Sequence, residues 1–300
     1  MASPLEIILV PTLMIILGYL LKRYEILKSK DSIVFSKIVL DVTLPSLIFV
    51  NLTKATITGD MLALPIFSLM ISAICIILAY LFCSFRGYSK VKTWTIVIAC
   101  SMMNTGFLGF PITMGVFSNE GFLYAIFFDL GTTIIFVIFG ILLVNFFGGN
   151  RMEILRQSIT FVPLWAVVLA LLFNIFNLDY GYVLENSLTY LGQATIPLIM
   201  ITLGLRLDFN EMKSSISDSL FVAIVKLFVA PAVMFLVLTF IGFEGLGFQV
   251  SVLESGMATA MNALVLAINY DLDVKLMSSV IFFNTLLALL TLTFLIGFLI

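Results

Sequence analysis

The chain alternates between long apolar runs and short polar connections. Ten such runs fall near residues 3–21, 34–52, 61–83, 93–117, 122–146, 158–176, 183–205, 219–241, 246–268 and 275–299. A helix needs about 20 apolar residues to cross a hydrocarbon core of about 30 Å. The pattern therefore predicts an all-α polytopic membrane protein with ten crossing helices. Spread over 300 residues, those crossings leave no room for a soluble domain. Nothing ahead of the first run resembles a basic stretch or a small-residue cleavage site, so that run reads as a retained helix and not a signal peptide.

The polar connections set orientation. Thirteen of the 15 basic residues, from Lys22 to Lys275, follow odd-numbered runs; Lys54 alone lies on the other side, and Lys226 is inside a run. The excess of Lys and Arg on cytoplasmic loops then places both termini outside a cell membrane. The longest polar stretch, Phe147 to Gln157, holds Gly148-Gly149-Asn150 with Arg151 and Arg156. It divides the chain into halves 1–148 and 158–300, with 149–157 as a cytoplasmic linker.

The halves repeat at an offset of 152 residues, which aligns Val10-Pro11 with Val162-Pro163 and Thr43-Leu44-Pro45 with Thr195-Ile196-Pro197. The same offset sets Asp41 against Gln193 and Asn104 against Gly256. Two copies of five crossings must insert in opposite senses, the inverted repeat found in many secondary transporters. Such folds keep their site at the midplane, where equivalent helices are broken. Run four carries Asn104, Thr105, Gly106, Gly109 and Pro111 in close succession; run nine carries Glu254, Ser255, Gly256, Met257, Ala258 and Asn262. Gly costs a helix ~1 kcal/mol and Pro ~3 kcal/mol relative to Ala, so both runs are expected to unwind. Half-helices starting at the breaks would aim free N–H groups and positive dipole ends at the centre, a cradle for an anion. The plainer reading is two Gly-rich helices packed closely together.

Composition narrows the chemistry. Hydrophobic residues make up 62% and charged residues 11%, with a mean hydropathy of +1.21, against about 45–50% and about 25% in soluble domains. A net charge of −2 supplies no basic surface for nucleic acid. The absence of His argues against an imidazole-ligated metal or a His triad. Cys75, Cys83 and Cys100 lie in apolar surroundings with no ligand spacing. No phosphate-binding loop, dinucleotide fingerprint or nucleophile elbow is present, so ATP-driven transport and catalysis have no support.

Four ionisable residues fall inside runs: Asp41, Asp129, Lys226 and Glu254. A charge at mid-bilayer costs at least ~2.5–3.5 kcal/mol, so each is a functional candidate. Glu254, beside the second break, is the candidate for ion or proton coupling; a structural hydrogen bond is the alternative. Asp129, with Thr132 and Thr133 one turn on, either extends a cation site that includes Ser101 or forms a salt bridge with Lys226. Lys226 either attracts substrate, neutralises a carboxylate, or carries its ammonium outward on a long stem that snorkels. Asp41 is interfacial or a helix-contact group.

Leu44-Pro45-Ser-Leu-Ile-Phe49, Asn104-Thr-Gly-Phe-Leu-Gly-Phe-Pro111, Ile196-Pro197 with Leu203-Gly204, and Met261-Asn262 through Tyr270 together resemble the auxin efflux carrier family, the prokaryotic relatives of the plant PIN-FORMED transporters. The resemblance spans essentially the whole chain. It implies two inverted five-helix repeats with helices four and nine crossing at the midplane. It further implies a scaffold of helices 1, 2, 6 and 7, a transport domain of helices 3–5 and 8–10, and a homodimer. The activity implied is transport of organic anions, such as auxin in plants and dicarboxylates in bacteria. Ala258 stands where the family often has Pro, so a softer break is expected in run nine. Glu254-Ser-Gly-Met257 is also similar to the crossing of the bile acid–sodium symporters, where the Glu binds Na⁺. A carboxylate, carbonyls of an unwound turn and the Asn104 or Thr105 oxygen suit such a hard cation, with Glu254, Asn104 and Met257 as its ligands.

The expectation is a secondary transporter for a small organic anion, bound at Asn104, Thr105, Gly106, Pro111, Met257, Ala258, Asn262 and Lys226. Na⁺ or H⁺ is coupled through Glu254, Asp129, Ser101, Thr132 and Thr133. An uncoupled, voltage-driven anion exporter is the first alternative; a membrane sensor or an intramembrane enzyme is more remote. Apart from Na⁺ no cofactor is expected, and the bilayer is the only partner besides the substrate and a second copy.

Overall fold

The computed structural model describes residues 3–148, 156, 159–207 and 216–300. The expected linker 149–157 thus lies outside the described residues apart from Arg156. The protein is all-helical and multi-pass. In chain order the helices are α1 (Pro4–Arg23), α2 (Asp31–Ile38), α3 (Leu44–Thr53), α4 (Leu64–Arg86), α5 (Lys90–Ser101), α6 (Phe110–Phe147), α7 (Val162–Ile175), α8 (Gly181–Gln193), α9 (Thr195–Arg206), α10 (Ile216–Ile224), α11 (Ala230–Phe240), α12 (Leu246–Ser255), α13 (Asn262–Asn269) and α14 (Val274–Leu299).

Seven continuous helical stretches among the described residues are long and apolar enough to cross a membrane. One of them, Thr105–Phe147, runs for 43 residues. At a rise of ~1.5 Å per residue a straight helix of that length is about twice as long as a hydrocarbon core is thick. It is interrupted at Ser118, whose φ of 58° and ψ of −158° are non-helical. Three further joints are wide π-turns: Val39–Thr43, Thr105–Gly109 and Val225–Val229. Each ends two residues before a proline, namely Pro45, Pro111 and Pro231. Proline has no N–H to give to the carbonyl four residues back, and its ring crowds that carbonyl. The turn before it widens, and the helix continues instead of stopping.

The chain forms two compact units, Met1–Ile8 with Gly59–Arg156 and Asp208–Ile300, and Leu9–Thr58 with Gln157–Leu207. In the second, α1 packs on α9 through Gly18 and Gly204. A Cβ on Gly204 would fall on the backbone of Ile15, Gly18 and Tyr19. The exposed C-terminal carbonyls of α3 are closed by the Asn174 amide, which donates to Leu52, Thr53 and Ala55 at 3.1, 3.0 and 2.8 Å. Phe49, Phe173 and Tyr180 pack edge to face beside it. Asp41 lies exposed in this unit's π-turn. At its edge Lys54 pairs with Glu185, and that hydrogen bond raises the lysine above its ordinary value.

The first unit is built on α4, which packs against α5 and α6, with α12 lying against both α4 and α6 and α14 against α10. Its interior holds long apolar side chains such as Phe122, Phe128 and Phe139, together with buried Ser, Thr and Asn on the helices that surround the two breaks. Where α10 meets α5, the buried Asp218 accepts from Tyr88 at 2.7 Å and pairs with Lys92 at 2.8 Å.

Candidate functional site

Both expected breaks lie in the first unit. In run four the helix ends at Ser101 and resumes as a π-turn at Thr105; in run nine it ends at Ser255 and resumes at Asn262. The second gap is the longer one, so the softer break expected from Ala258 is not what forms. Proline is not needed there because neighbouring backbone takes over the lost hydrogen bonds. The Asn104 N–H donates to the Ala258 carbonyl at 2.9 Å, and the Ala260 N–H donates to the Met102 carbonyl at 2.9 Å. Met103 and Thr259 between them form a two-residue antiparallel bridge. The two extended segments satisfy each other, which is how non-helical backbone survives at this depth. Thr259 adds a hydroxyl bond to the Ala99 carbonyl at 2.9 Å and accepts from the Asn284 amide at 3.1 Å.

Four helix ends meet at this bridge. The C-termini of α5 and α12 bring negative poles, and the starts of the Thr105 π-turn and of α13 bring positive ones. The Asn104 carbonyl takes N–H groups from both Leu108 and Gly109 at 3.0 Å, which ties the first gap to its second half-helix. The Asn104 side-chain amide is 3% exposed, and its nitrogen has no hydrogen-bond partner. Around it everything from Ser101 to Thr113 is buried except Gly106. A Cβ on Gly106 would meet nothing within 4 Å, so the crossing is open there. Asn262, at the start of the opposite half-helix, is exposed.

Glu254 is fully buried in the last turn of α12. One carboxylate oxygen accepts from the Thr113 hydroxyl at 2.6 Å; the other has no partner. The carboxylate lies flat against Gly109, where a Cβ would stand 2.7 Å from its carbon. Gly109 has helical angles (φ −64°, ψ −53°), so glycine is required there by Glu254 and not by the backbone. Met257 donates its N–H to the Glu254 carbonyl at 3.2 Å.

Asp129, half-buried on α6, accepts from the Thr105 hydroxyl and from the Thr132 hydroxyl, the latter at 2.8 Å. The salt bridge weighed between Asp129 and Lys226 does not form. The ion pairs among the described residues are Lys54–Glu185 and Lys92–Asp218, and the threonine hydroxyls occupy Asp129 instead. Ser101 spends its hydroxyl on the Val97 and Ile98 carbonyls of its own helix. Thr133 shares α6 with Asp129 and is half-buried. Pro111 is buried near the start of α6, and Met257 and Ala258 are buried in the second gap. Lys226 lies in the Val225–Val229 π-turn, fully buried, its ammonium without a hydrogen-bond partner. The site therefore brings together Asn104, Thr105, Gly106, Asp129, Thr132 and Glu254.

Sequence reasoning passed over Thr113, Thr259 and Asn284. Asn284 carried a signal, as an amide in the middle of an otherwise apolar run. Thr113 carried none, because its partner is 141 residues away. A cavity of about 470 Å³ opens elsewhere in this unit, lined by Phe235, Phe243, Phe248 and Phe298.

The profile of a family described as membrane transport protein matches residues 5–296. An uncharacterized transporter of Methanothermobacter thermautotrophicus is 40% identical, over 96% of this chain and 95% of its own. An uncharacterized transporter of Methanocaldococcus jannaschii is 33% identical, over 96% of both chains.

Proposed function

The chain belongs to this membrane transport family, of auxin efflux carrier type, and on that premise we propose that it is a secondary transporter carrying a small organic anion by alternating access. The observation that carries the reading is the crossing. Two positive half-helix ends and an unpartnered Asn104 amide lie beside Gly106, where a Cβ would meet nothing within 4 Å. Helix N-termini and amide donors favour a carboxylate. Thr105, Pro111, Met257, Ala258 and Asn262 shape the cradle.

Ten crossings in two inverted halves account for the helical pieces. The break at Ser118 divides Thr105–Phe147 into the end of the fourth crossing and the whole of the fifth. α2 with α3, α8 with α9, α10 with α11, and α12 with α13 each complete one more. The unit containing the crossing is the moving domain and the other the scaffold, with the termini outside and a second copy on the scaffold. Glu254 couples the cycle to Na⁺ or H⁺, with its unpartnered oxygen as the site of exchange and the Thr105–Asp129–Thr132 cluster beside it. For Na⁺, the residues present offer that carboxylate with the Asn104 oxygen and the Met257 backbone.

Purified protein is first screened for thermal stabilisation by monocarboxylates and dicarboxylates, since a ligand raises the melting temperature by mass action. The stabilising anion is then used in counterflow across proteoliposomes. Gly106→Leu is expected to leave the melting temperature unchanged and abolish counterflow. Failure of every carboxylate to exchange, or full activity in Gly106→Leu, refutes the reading. Glu254→Gln should uncouple flux from ion gradients; unchanged gradient dependence would remove Glu254 from that role.

A further inference from the structure

The cavity of about 470 Å³ in the first unit is formed by the end of α11, the loop that follows it, the first turn of α12, and Phe298 and Leu299 of α14. None of the crossing residues lines it. Its volume falls within the ~300–1,000 Å³ of small-ligand pockets. The loop is folded by its own sequence. Gly242, at φ 70°, turns the chain so that its N–H donates to the Thr239 carbonyl at 3.2 Å and that of Phe243 to the Leu238 carbonyl at 2.9 Å. This is the glycine-capped end that closes the last carbonyls of a helix. Gly245, at φ 77°, turns the chain again into α12. Between the two glycines Glu244 is exposed and forms part of the cavity wall.

Phe235 stands between two other rings of the wall. The centroids of Phe248 and Phe298 lie 5.4 and 5.2 Å from its own, with the rings inclined to it by 70° and 60°. Phe243 is held by Phe67, edge to face at 4.9 Å, and by Gly247, where a Cβ would stand 3.0 Å from its ring. Gln249 donates its amide to the Leu299 carbonyl at 2.7 Å and ties α12 to α14 beside these rings. Among the described residues of the wall Glu244 is the only charged side chain, and neither ion pair of the described residues uses it. The end of α11 and the start of α12 flank the loop with opposite poles, so the carboxylate sets the sign of the cavity. Inclined aromatic rings around one space, with a carboxylate at its edge, suit a quaternary ammonium ion, whose charge is attracted by ring faces and whose alkyl groups pack on them. A primary ammonium ion carries three N–H donors, which a wall made mostly of phenyl rings would leave unpaired.

We propose that this cavity is a second ligand site, separate from the crossing, for a small soluble quaternary ammonium ion. Glu244 supplies the opposing charge, and Phe235, Phe248 and Phe298 hold the alkyl groups. The ligand has the opposite sign to the anion read for the crossing, so the two sites take different molecules.

The test measures binding of labelled choline to the purified full chain in maltoside micelles. The competitors are tetramethylammonium chloride, 3,3-dimethylbutan-1-ol, which has the shape of choline without its charge, and glycerophosphocholine, which is the same group as a lipid carries it. The expected result is saturable choline binding that tetramethylammonium displaces and the alcohol does not. Glu244→Gln and Phe298→Leu, both at exposed positions, should each weaken binding by about tenfold and leave the melting temperature unchanged. Gly106→Leu, which blocks the crossing, should bind choline as the wild type does. Absence of saturable binding overturns the proposal. Equal displacement by the alcohol means an apolar hollow with no preference for charge, and overturns it too. Full binding in Glu244→Gln, or loss of binding in Gly106→Leu, moves the ion elsewhere and refutes the site. Stronger displacement by glycerophosphocholine than by tetramethylammonium assigns the cavity to lipid headgroups and overturns a soluble ligand. Binding is read directly, so failure here leaves the anion-carrier reading intact, and failure of that reading leaves this result intact.

Discussion

Gly109→Ala isolates the contact on which the crossing depends. With φ −64° and ψ −53° the position is helical. Alanine there would ordinarily stabilise a helix by ~0.5–1 kcal/mol through backbone entropy. The new methyl, however, would stand 2.7 Å from the Glu254 carboxylate carbon, so the carboxylate must move and give up its 2.6 Å bond from Thr113. A buried hydrogen-bonding group left without its partner costs ~1–3 kcal/mol. The net effect is a loss of roughly 1–2 kcal/mol, within the range for overfilled cores. Thermal unfolding in detergent measures it. The deciding comparison is the same substitution in a Glu254→Ala background, where the obstacle is gone and the intrinsic helix preference returns. Gly109→Ala should then stabilise by ~0.5–1 kcal/mol, a reversal of sign that corresponds to a coupling of ~2–3 kcal/mol. Gly106→Ala, whose methyl meets nothing within 4 Å, should be neutral or stabilising in both backgrounds. An equal cost for Gly109→Ala with and without Glu254 would refute the packing argument.

Three further outcomes are expected. In the other unit, Gly204→Ala sets a methyl against the backbone of Ile15, Gly18 and Tyr19, which cannot step aside as a side chain can; the cost should be about 3 kcal/mol, at the upper end for overpacking, and a wild-type melting temperature would contradict the close approach. Ser118 adopts φ 58° and ψ −158°, a region nearly exclusive to glycine that costs a side chain ~1–3 kcal/mol, so Ser118→Gly should raise the melting temperature, and a fall would count against strain there. Burial pulls the Lys92 ammonium down, but its hydrogen bond to Asp218 and that residue's charge outweigh this and hold it above its ordinary 10.5; burial and then the Asp218 bond likewise raise the Tyr88 phenol. Both groups favour the protonated form in the folded state, so their stabilisation is complete below about pH 10 and is lost as pH rises through the raised values. Asp218→Asn should flatten that alkaline decline in melting temperature, and an unchanged decline would assign it to other groups.

What could be read from the sequence, and what could not, divides by the range of the interaction. The helices follow from apolar length, and a break in run nine from the polar and small residues of Ser255–Met261. In run four Gly106, Gly109 and Pro111 lie in helix and the gap falls just before them, at Met102–Asn104, where the pairing with the other segment is long-range. Thr113 meeting Glu254 and Thr105 meeting Asp129 join residues 141 and 24 positions apart, and no periodicity encodes them. Proline shows the boundary between the two. Its position is visible, and so is the loss of one N–H, yet whether a helix then stops, kinks or widens depends on its surroundings. At Pro45, Pro111 and Pro231 it widens. In all three cases the widened turn carries a polar residue singled out from sequence as costly in a membrane or as part of a break: Asp41, Thr105 and Lys226. A π-turn shifts the face of every later residue by about one position, a reason such turns recur at functional sites. The prolines are therefore better understood as setting the direction of those three side chains than as bending the helices that carry them.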